Sequence, residues 1–435
     1  MLAPLFLPRR RQVAATVLAF LAAALCGCGA LFDWVGGNFA GKPAELERAL
    51  SPGAQELIAR AFADIDPARL ADIHVHVFGE GPGEAGPFVN PTARSWLHPF
   101  RMVQYRVYLS ASGITDESRV SEQYVERLVE LIRGIRGHGR YFIYAMDRHY
   151  RQDGTPDPEA TPFYVPNDYV VTLAERYPDL FVPVVSVHPY RRDAVPELEK
   201  WAQRGCRYVK WLSTAQGIDP SSPLTEPFYQ KMREFGMVLL AHSGEELAVF
   251  SGGRQELGNP LLLRKPLDMG VRVVALHSAT FGKSIDLESP GRPKVPSFDL
   301  FLRLMDDPRY KELLYGDIAG VIFIDHSLEA LRKLLAREDL HPRLLNGSDY
   351  PLPAVNFLVM TGSLANHGFI TGEEREFLNE IYRYNPLLFD FVVKRTLRHP
   401  ETGQRFAPSV FVLPPELPLP PEKDAVHDRR PNHEN

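Results

Sequence analysis

An α/β fold in which eight strands alternate with helices and close into a (β/α)8 barrel is what this sequence predicts. Three observations carry that reading. Short β-rich runs recur along the 435 residues, longer helical stretches separate them, and glycines sit at helix ends just before the next strand. A doubly wound open sheet uses the same local units, and periodicity alone does not separate the two.

The eight runs are Ala71 to Phe78, Tyr141 to Asp147, Phe181 to His188, Cys206 to Leu212, Met237 to His242, Arg272 to His277, Tyr315 to Phe323 and Arg343 to Asp349. The fourth to sixth are close-spaced and rich in Val, Leu and Ala. The seventh, which holds Gly316 and Gly320, has the weakest pattern. Helical periodicity falls where crossovers are required: Arg119 to Arg136, Asp168 to Tyr177, Val195 to Arg204, Glu226 to Phe235, Pro260 to Met269, Phe298 to Leu314 and Ser327 to Glu338. Gly205, Gly236 and Gly270 each stand where a helix would end in a left-handed turn. The two longest insertions, Gly79 to about Pro99 and Arg148 to Asn167, follow the first two strands. They would therefore lie at the C-terminal mouth of a barrel, where ligands are handled.

Composition narrows the function. Forty-nine Lys and Arg against 54 Asp and Glu give a formal charge of −5, so no global basic field would gather nucleic acid. Three cysteines, two of them within the first 28 residues, cannot build a disulfide framework or a thiolate metal cluster. Any metal must be held by imidazole and carboxylate.

The ends read differently from the middle. Arg9, Arg10 and Arg11 precede the apolar run Val13 to Leu25, and Leu25-Cys26-Gly27-Cys28 follows, as in a secretory signal. These four residues resemble a bacterial lipobox, which implies lipidation at Cys28. Residues 1–27 would be a signal peptide, and the body would be exported and anchored to a membrane by acyl chains. Residues 28–68 read as a linker with a short helix, 69–398 as the barrel, and 399–435 as a Pro-rich, disordered tail containing Leu413-Pro-Pro-Glu-Leu-Pro-Leu-Pro-Pro.

Chemistry collects at strand ends. His74 and His76 lie in Asp72-Ile-His-Val-His-Val, where strand alternation puts both on one face and Ile73, Val75 and Val77 on the other. His242, His277 and Asp349 end the fifth, sixth and eighth runs. In one barrel all five would face one mouth. Burying them together is costly unless they are paired or metal-bound.

With these motifs the chain, from about Ala71 to Thr396, resembles the amidohydrolase superfamily of metal-dependent TIM-barrel enzymes. The resemblance is to the branch that includes aminocarboxymuconate-semialdehyde decarboxylase. It rests on the first-strand His-x-His, the histidines ending the fifth and sixth strands, and Asn346-Gly-Ser-Asp-Tyr-Pro351. Tyr315-Gly-Asp-Ile-Ala-Gly320 and Tyr384-Asn-Pro-Leu-Leu-Phe389 add to it. The resemblance implies that His74, His76, His242 and Asp349 ligate a divalent metal, most often zinc. His277 would be a ligand of a second metal or an acid-base residue. Lys210 occupies the place where binuclear members carry a carbamylated lysine bridging two ions, so one or two ions are implied.

Such a donor set leaves room for a water that the metal acidifies to a pKa of about 7. Asp349 would take its proton and pass it to the leaving group. The expected reaction is hydrolysis of a C–N or C–O bond of a small molecule. A decarboxylase using the same ligands is the nearest rival, and a barrel lipoprotein that binds without turnover is the rival from another class.

Other residues carry less. His188 ends the third run, where a structural role is expected. Asp147, Arg148, His149, Arg94, Arg101 and Arg106 could grip an acidic substrate or form solvated surface. Cys206 reads as an inert buried thiol, and Ser243 and Ser278 lack the glycine pattern of a nucleophile elbow.

Overall fold

The computed structural model describes residues 41–81, 86–323 and 328–419. The signal segment 1–27 and Cys28 lie outside the described residues. So does the end of the tail from 420.

Eight parallel strands run in chain order around a (β/α)8 barrel: β1 Ala71–His76, β2 Arg140–Tyr144, β3 Phe181–Val184, β4 Tyr208–Trp211, β5 Val238–His242, β6 Arg272–Leu276, β7 Leu314–Asp317 and β8 Leu344–Leu345. Ladder pairing joins β1 to β3 and β4 to β8. Parallel bridges close the two remaining seams, Val185 to Val209 between β3 and β4, and Val75 to Tyr350 between β1 and the chain leaving β8. Every expected strand is found, and closure excludes the open sheet.

Apolar residues fill two shells. Ile73, Phe142, Val184, Leu240, Val274 and Leu345 pack inside the barrel. The outer shell lies between the strands and the helices, as on Val120–Arg133, where Tyr124, Leu128, Leu131 and Ile132 face inward. Helices cover all the expected crossovers, and several expected runs are shorter than the pattern suggests. Phe298 to Leu314 stops at Met305, because Asp307 caps a new turn that starts at Pro308. The seventh strand ends at Asp317, and its bend away continues through Gly320 at φ +67°.

Three regions differ from the sequence reading. Helix Pro99–Ala111 has no counterpart in the sequence pattern; it carries apolar side chains on several faces because it meets both the core and the mouth, which blurs its period. Residues 41–68 hold the expected short helix, Pro52–Phe62, but pack against the body rather than linking to it. Ser51 caps helix Pro52–Phe62 and bonds Glu380, and Leu57 and Ala61 are buried against the closing helices. The disordered tail does not hold for 399–419: Val410 and Phe411 are buried, Leu70 bridges to Val412, and Leu417 enters the inner shell with Leu413 beside it.

The two long insertions meet. Phe88–Val89 pairs antiparallel with Phe163–Tyr164, and the Asn90 side chain donates to the Thr161 carbonyl at 2.9 Å. The mouth is thereby framed by two loops tied to each other.

Candidate metal centre

The site begins with an irregularity in β1. Pairing with β2 slips between Asp72 and Val75, so the strand carries one extra residue there. Ile73 consequently packs inside the barrel while Val75 and Val77 join the outer shell, which corrects the expectation that all three share a face. The Asp72 carboxylate secures the bulge. It accepts from the amides of His74 at 3.1 Å and Ser348 at 2.9 Å, tying β1 to the end of β8. Burial pushes that carboxyl up to about 6. Gly347 is needed at the same junction, because a Cβ there would stand 2.6 Å from that of His74.

His74 is fully buried, and its Nδ1 lies 2.8 Å from Oδ2 of Asp317. Asp317 also accepts from the backbone amides of His277 and, at 3.3 Å, Ala319. A carboxylate receiving N–H groups fixes Nδ1 as the protonated nitrogen and leaves Nε2 with a lone pair. That Nε2 has no hydrogen-bond partner. It faces Oδ1 of Asp349 at 3.3 Å, and Nε2 of His76 lies 3.2 Å from the same oxygen.

His277 is held through Nδ1, 3.2 Å from the Ala319 carbonyl. His242 has Nδ1 at 3.4 Å from Oε2 of Glu246 and, like His74, a buried Nε2 without a partner. Lys210 is buried with its ammonium 4.9 Å from the centre of the Tyr144 ring. All six residues singled out from the sequence line one cavity of about 790 Å³ at the mouth.

They are not equally placed. Among the described residues two overlapping donor groups form, His74 with His76 and Asp349, and His74 with His277 and Asp317. In the second, Asp317 is already occupied by the His74 Nδ1–H and by backbone amides, whereas in the first the lone pair of His74 faces a carboxylate oxygen. His242 belongs to neither group, though it lines the same cavity. Its ring centre is 5.0 Å from that of His277.

Electrostatics follow from burial. His74 and His242 are driven well below the usual histidine range, and His277 to about 4, so all three are neutral near pH 7. Burial also draws Lys210 down to about 8 and raises Asp317 and Glu246 to about 7. For Asp349 burial acts upward, but the hydrogen bond from His76 and the nearby His277, His76 and Lys210 outweigh it and hold the carboxyl below the ordinary value. Backbone geometry marks the same place. His277, Ser278, Ala279 and Asp349 all have φ between +47° and +61°, a region costing a non-glycine residue about 1–3 kcal/mol.

Sequence reasoning misses Asp317 and Glu246. For Glu246 the available signal is its spacing four residues after His242; for Asp317 it is the Tyr-Gly-Asp motif itself. The remaining candidates lie elsewhere. Asp147 accepts from the His188 amide and Arg191, Arg148 stacks on Tyr164, and His149 packs against Gly217. Burial raises the Cys206 thiol to about 11. Ser243 and Ser278 donate to the carbonyls of Ala241 and Asp317.

No family model matches the chain, and no curated protein matches it. Among solved structures it is similar to an uncharacterized TIM-barrel protein from Bordetella bronchiseptica, at 15% identity over 72% of this chain and 99% of that one, with a TM-score of 0.44. It is also similar to 5-carboxyvanillate decarboxylase from Sphingomonas paucimobilis, at 15% identity over 67% and 92%, TM-score 0.40. A third is 4-oxalomesaconate hydratase from Rhodopseudomonas palustris, at 14% identity over 71% and 88%, TM-score 0.39.

Proposed function

We propose that this chain is a metal-dependent hydrolase of the amidohydrolase superfamily, cleaving a C–N or C–O bond at a carbonyl carbon of a small molecule. One observation carries the reading. The buried lone pair of His74 Nε2 is aimed at an ionised Asp349 oxygen 3.3 Å away, with His76 Nε2 at 3.2 Å from the same atom and no proton between His74 and Asp349 to reconcile them. Two acceptors held face to face in a dry site are costly, and a cation shared between them removes the cost.

His74, His76 and Asp349 are the donors for that ion, with His242, His277 and Lys210 as further nitrogens on the same wall. Imidazole and carboxylate together favour zinc. A divalent ion there supplies Lewis acidity, polarising a carbonyl and making water a nucleophile at neutral pH.

The chain's own groups do the rest. Asp349, ionised near pH 7, accepts a proton from water and returns it to the departing nitrogen or oxygen. Asp317 holds His74 in one tautomer. Lys210 brings positive charge toward Asp349, Asp317 and Glu246, and is placed to pair with a carboxylate product. The lipobox-like sequence supports attachment of the exported body to a membrane through Cys28.

The test is a metal-to-protein ratio together with turnover of Asp349→Asn. The proposal expects a bound divalent ion and a rate loss of about 10²- to 10⁴-fold in the variant. A wild type that neither carries nor takes up metal overturns it. Carbon dioxide released in stoichiometric yield reassigns the enzyme as a decarboxylase. Loss of labelled palmitate from Cys28→Ser tests the anchor.

A further inference from the structure

The cavity above the donor cluster is walled largely by carbon. Val103, Val249, Phe281 and Leu358 form its sides, and at the entrance apolar side chains stand in water: Phe100 is 69% exposed, Leu247 55%, Phe357 48% and Met360 53%. Among the described residues lining it, Lys210 is the only lysine or arginine, and Lys210 lies buried at the floor. The charged groups that share the wall, Glu245, Glu246 and Asp349, are acidic.

The arginines that could have gripped an acid do not line this cavity. Arg94 bonds Glu80 and Tyr105, and Arg101 donates to Thr92 and stacks 3.6 Å from the centre of the Phe250 ring. Neither lines this cavity, nor does Arg106. A second, smaller chamber of about 150 Å³ adjoins it, walled by Phe78, Val89 and Phe163 with Asn90, Thr92 and the Arg101 that is bonded to Thr92 and stacked on Phe250, and shares His76 and Asp349 with the first. The donor cluster therefore stands where a large apolar chamber meets a small one.

We propose that the substrate is a neutral ester or amide, with a long aliphatic or aryl arm lying in the large chamber and a small group on the other side of its carbonyl entering the side chamber. This rests on the hydrolase reading above. Water adds across the acyl C–O or C–N bond: its oxygen joins the acyl carbon, the bond to the alcohol or amine breaks, and that group leaves with a proton. A chamber of this size and lining suits a drug-sized apolar ligand. A polycarboxylate would instead find Lys210 alone to pair with, and its remaining charge would face three acidic side chains.

The experiment is binding without turnover, so that it does not depend on the reaction. The full chain is titrated with the neutral fluorophore N-phenyl-1-naphthylamine, which is then competed by a homologous series of methyl ketones and by decanedioate. The ketones are expected to displace the fluorophore, with affinity rising about threefold to fourfold per added methylene until the chamber is full. Decanedioate is expected to compete at least tenfold more weakly than a ketone of matched length. Val249→Lys, which sets a charge in the wall away from the donors, is expected to weaken ketone binding tenfold or more while the fold, read by circular dichroism, is kept; Val103→Gln, a milder change, should weaken it less. Absence of fluorophore binding, affinity independent of chain length, or tighter competition by decanedioate overturns the proposal. A metal-free protein that still binds the ketones would instead defeat only the hydrolase reading.

Discussion

Replacing Asp317 with asparagine tests whether the tautomer of His74 governs metal binding. The carboxylate now serves N–H groups with both oxygens: Oδ2 faces His74 Nδ1 at 2.8 Å, and Oδ1 accepts from the amides of His277 and Ala319. Asparagine offers one oxygen. If that oxygen keeps the two amides, its NH₂ group faces Nδ1, which must then be the unprotonated nitrogen, and Nε2 carries the proton toward Asp349. If the side chain flips, NH₂ meets two N–H groups instead. The flipped arrangement loses buried hydrogen bonds, about 1–3 kcal/mol each; the first keeps them but removes a lone pair from the donor set. Metal affinity should fall by about 10- to 100-fold, the usual effect of disturbing a group that orients a ligand.

The assay is competition against a chromophoric chelator at fixed pH, with metal content measured on the same sample. Acid should act on the wild type as the substitution does, because burial raises the Asp317 carboxyl to about 7. Affinity should therefore decline more steeply below that pH in the wild type than in Asp317→Asn. An affinity within about twofold of wild type would refute the reasoning, since His74 would then not depend on its carboxylate partner.

Three further outcomes follow from buried groups. His188 is held neutral, its Nε2 bonded to the Gln216 carbonyl at 2.9 Å and its Nδ1 accepting from the Tyr190 amide at 3.1 Å; burial lowers its pKa from 6.5 to about 3. The unfolded chain therefore binds more protons between those values, and the stability His188 contributes is complete above pH 6.5 and lost as pH falls toward 3. Urea titrations should show the wild type losing about 3 kcal/mol more than His188→Gln between about pH 7 and pH 4, and equal losses would remove His188 from the account. Lys394→Met strands the Asp390 carboxylate, 2.7 Å from the lost ammonium and buried, and removes a bond to the Gly347 carbonyl; the cost should be about 3–5 kcal/mol in denaturant, largely recovered by adding Asp390→Leu. Leu417→Ala should cost about 2–3 kcal/mol by thermal or chemical unfolding, and a change below about 0.5 kcal/mol would mean the tail packs without stabilising.

Strands and mouth are legible because their cues are local. Apolar runs with a polar terminal residue, following a glycine, mark a strand whose end faces a site, and β5 and β6 fit that pattern throughout. What fails depends on distance along the chain. Alternation puts Ile73 on the wrong face because a bulge leaves no mark in an alternating sequence. Asp317 lies 243 residues from the histidine it orients, and nothing local marks it as that partner. Strand position brings His242 to the mouth, and the spacing of the donors within the mouth is set by contacts that no local pattern encodes. Leu413 and Leu417 sit in a Pro-rich run that reads as solvated, and only the open end of a barrel begun far earlier in the chain turns them into core.

That end has a consequence for how the molecule is made. The stopper of the barrel, Leu413 and Leu417, comes after all eight strands in the chain, and Val412 beside it bridges Leu70, the residue just before β1. Until Leu413 and Leu417 have emerged the interior stays open to water from below, so a nascent chain halted before Leu413 holds every strand and helix of the barrel yet lacks the residues that seal it.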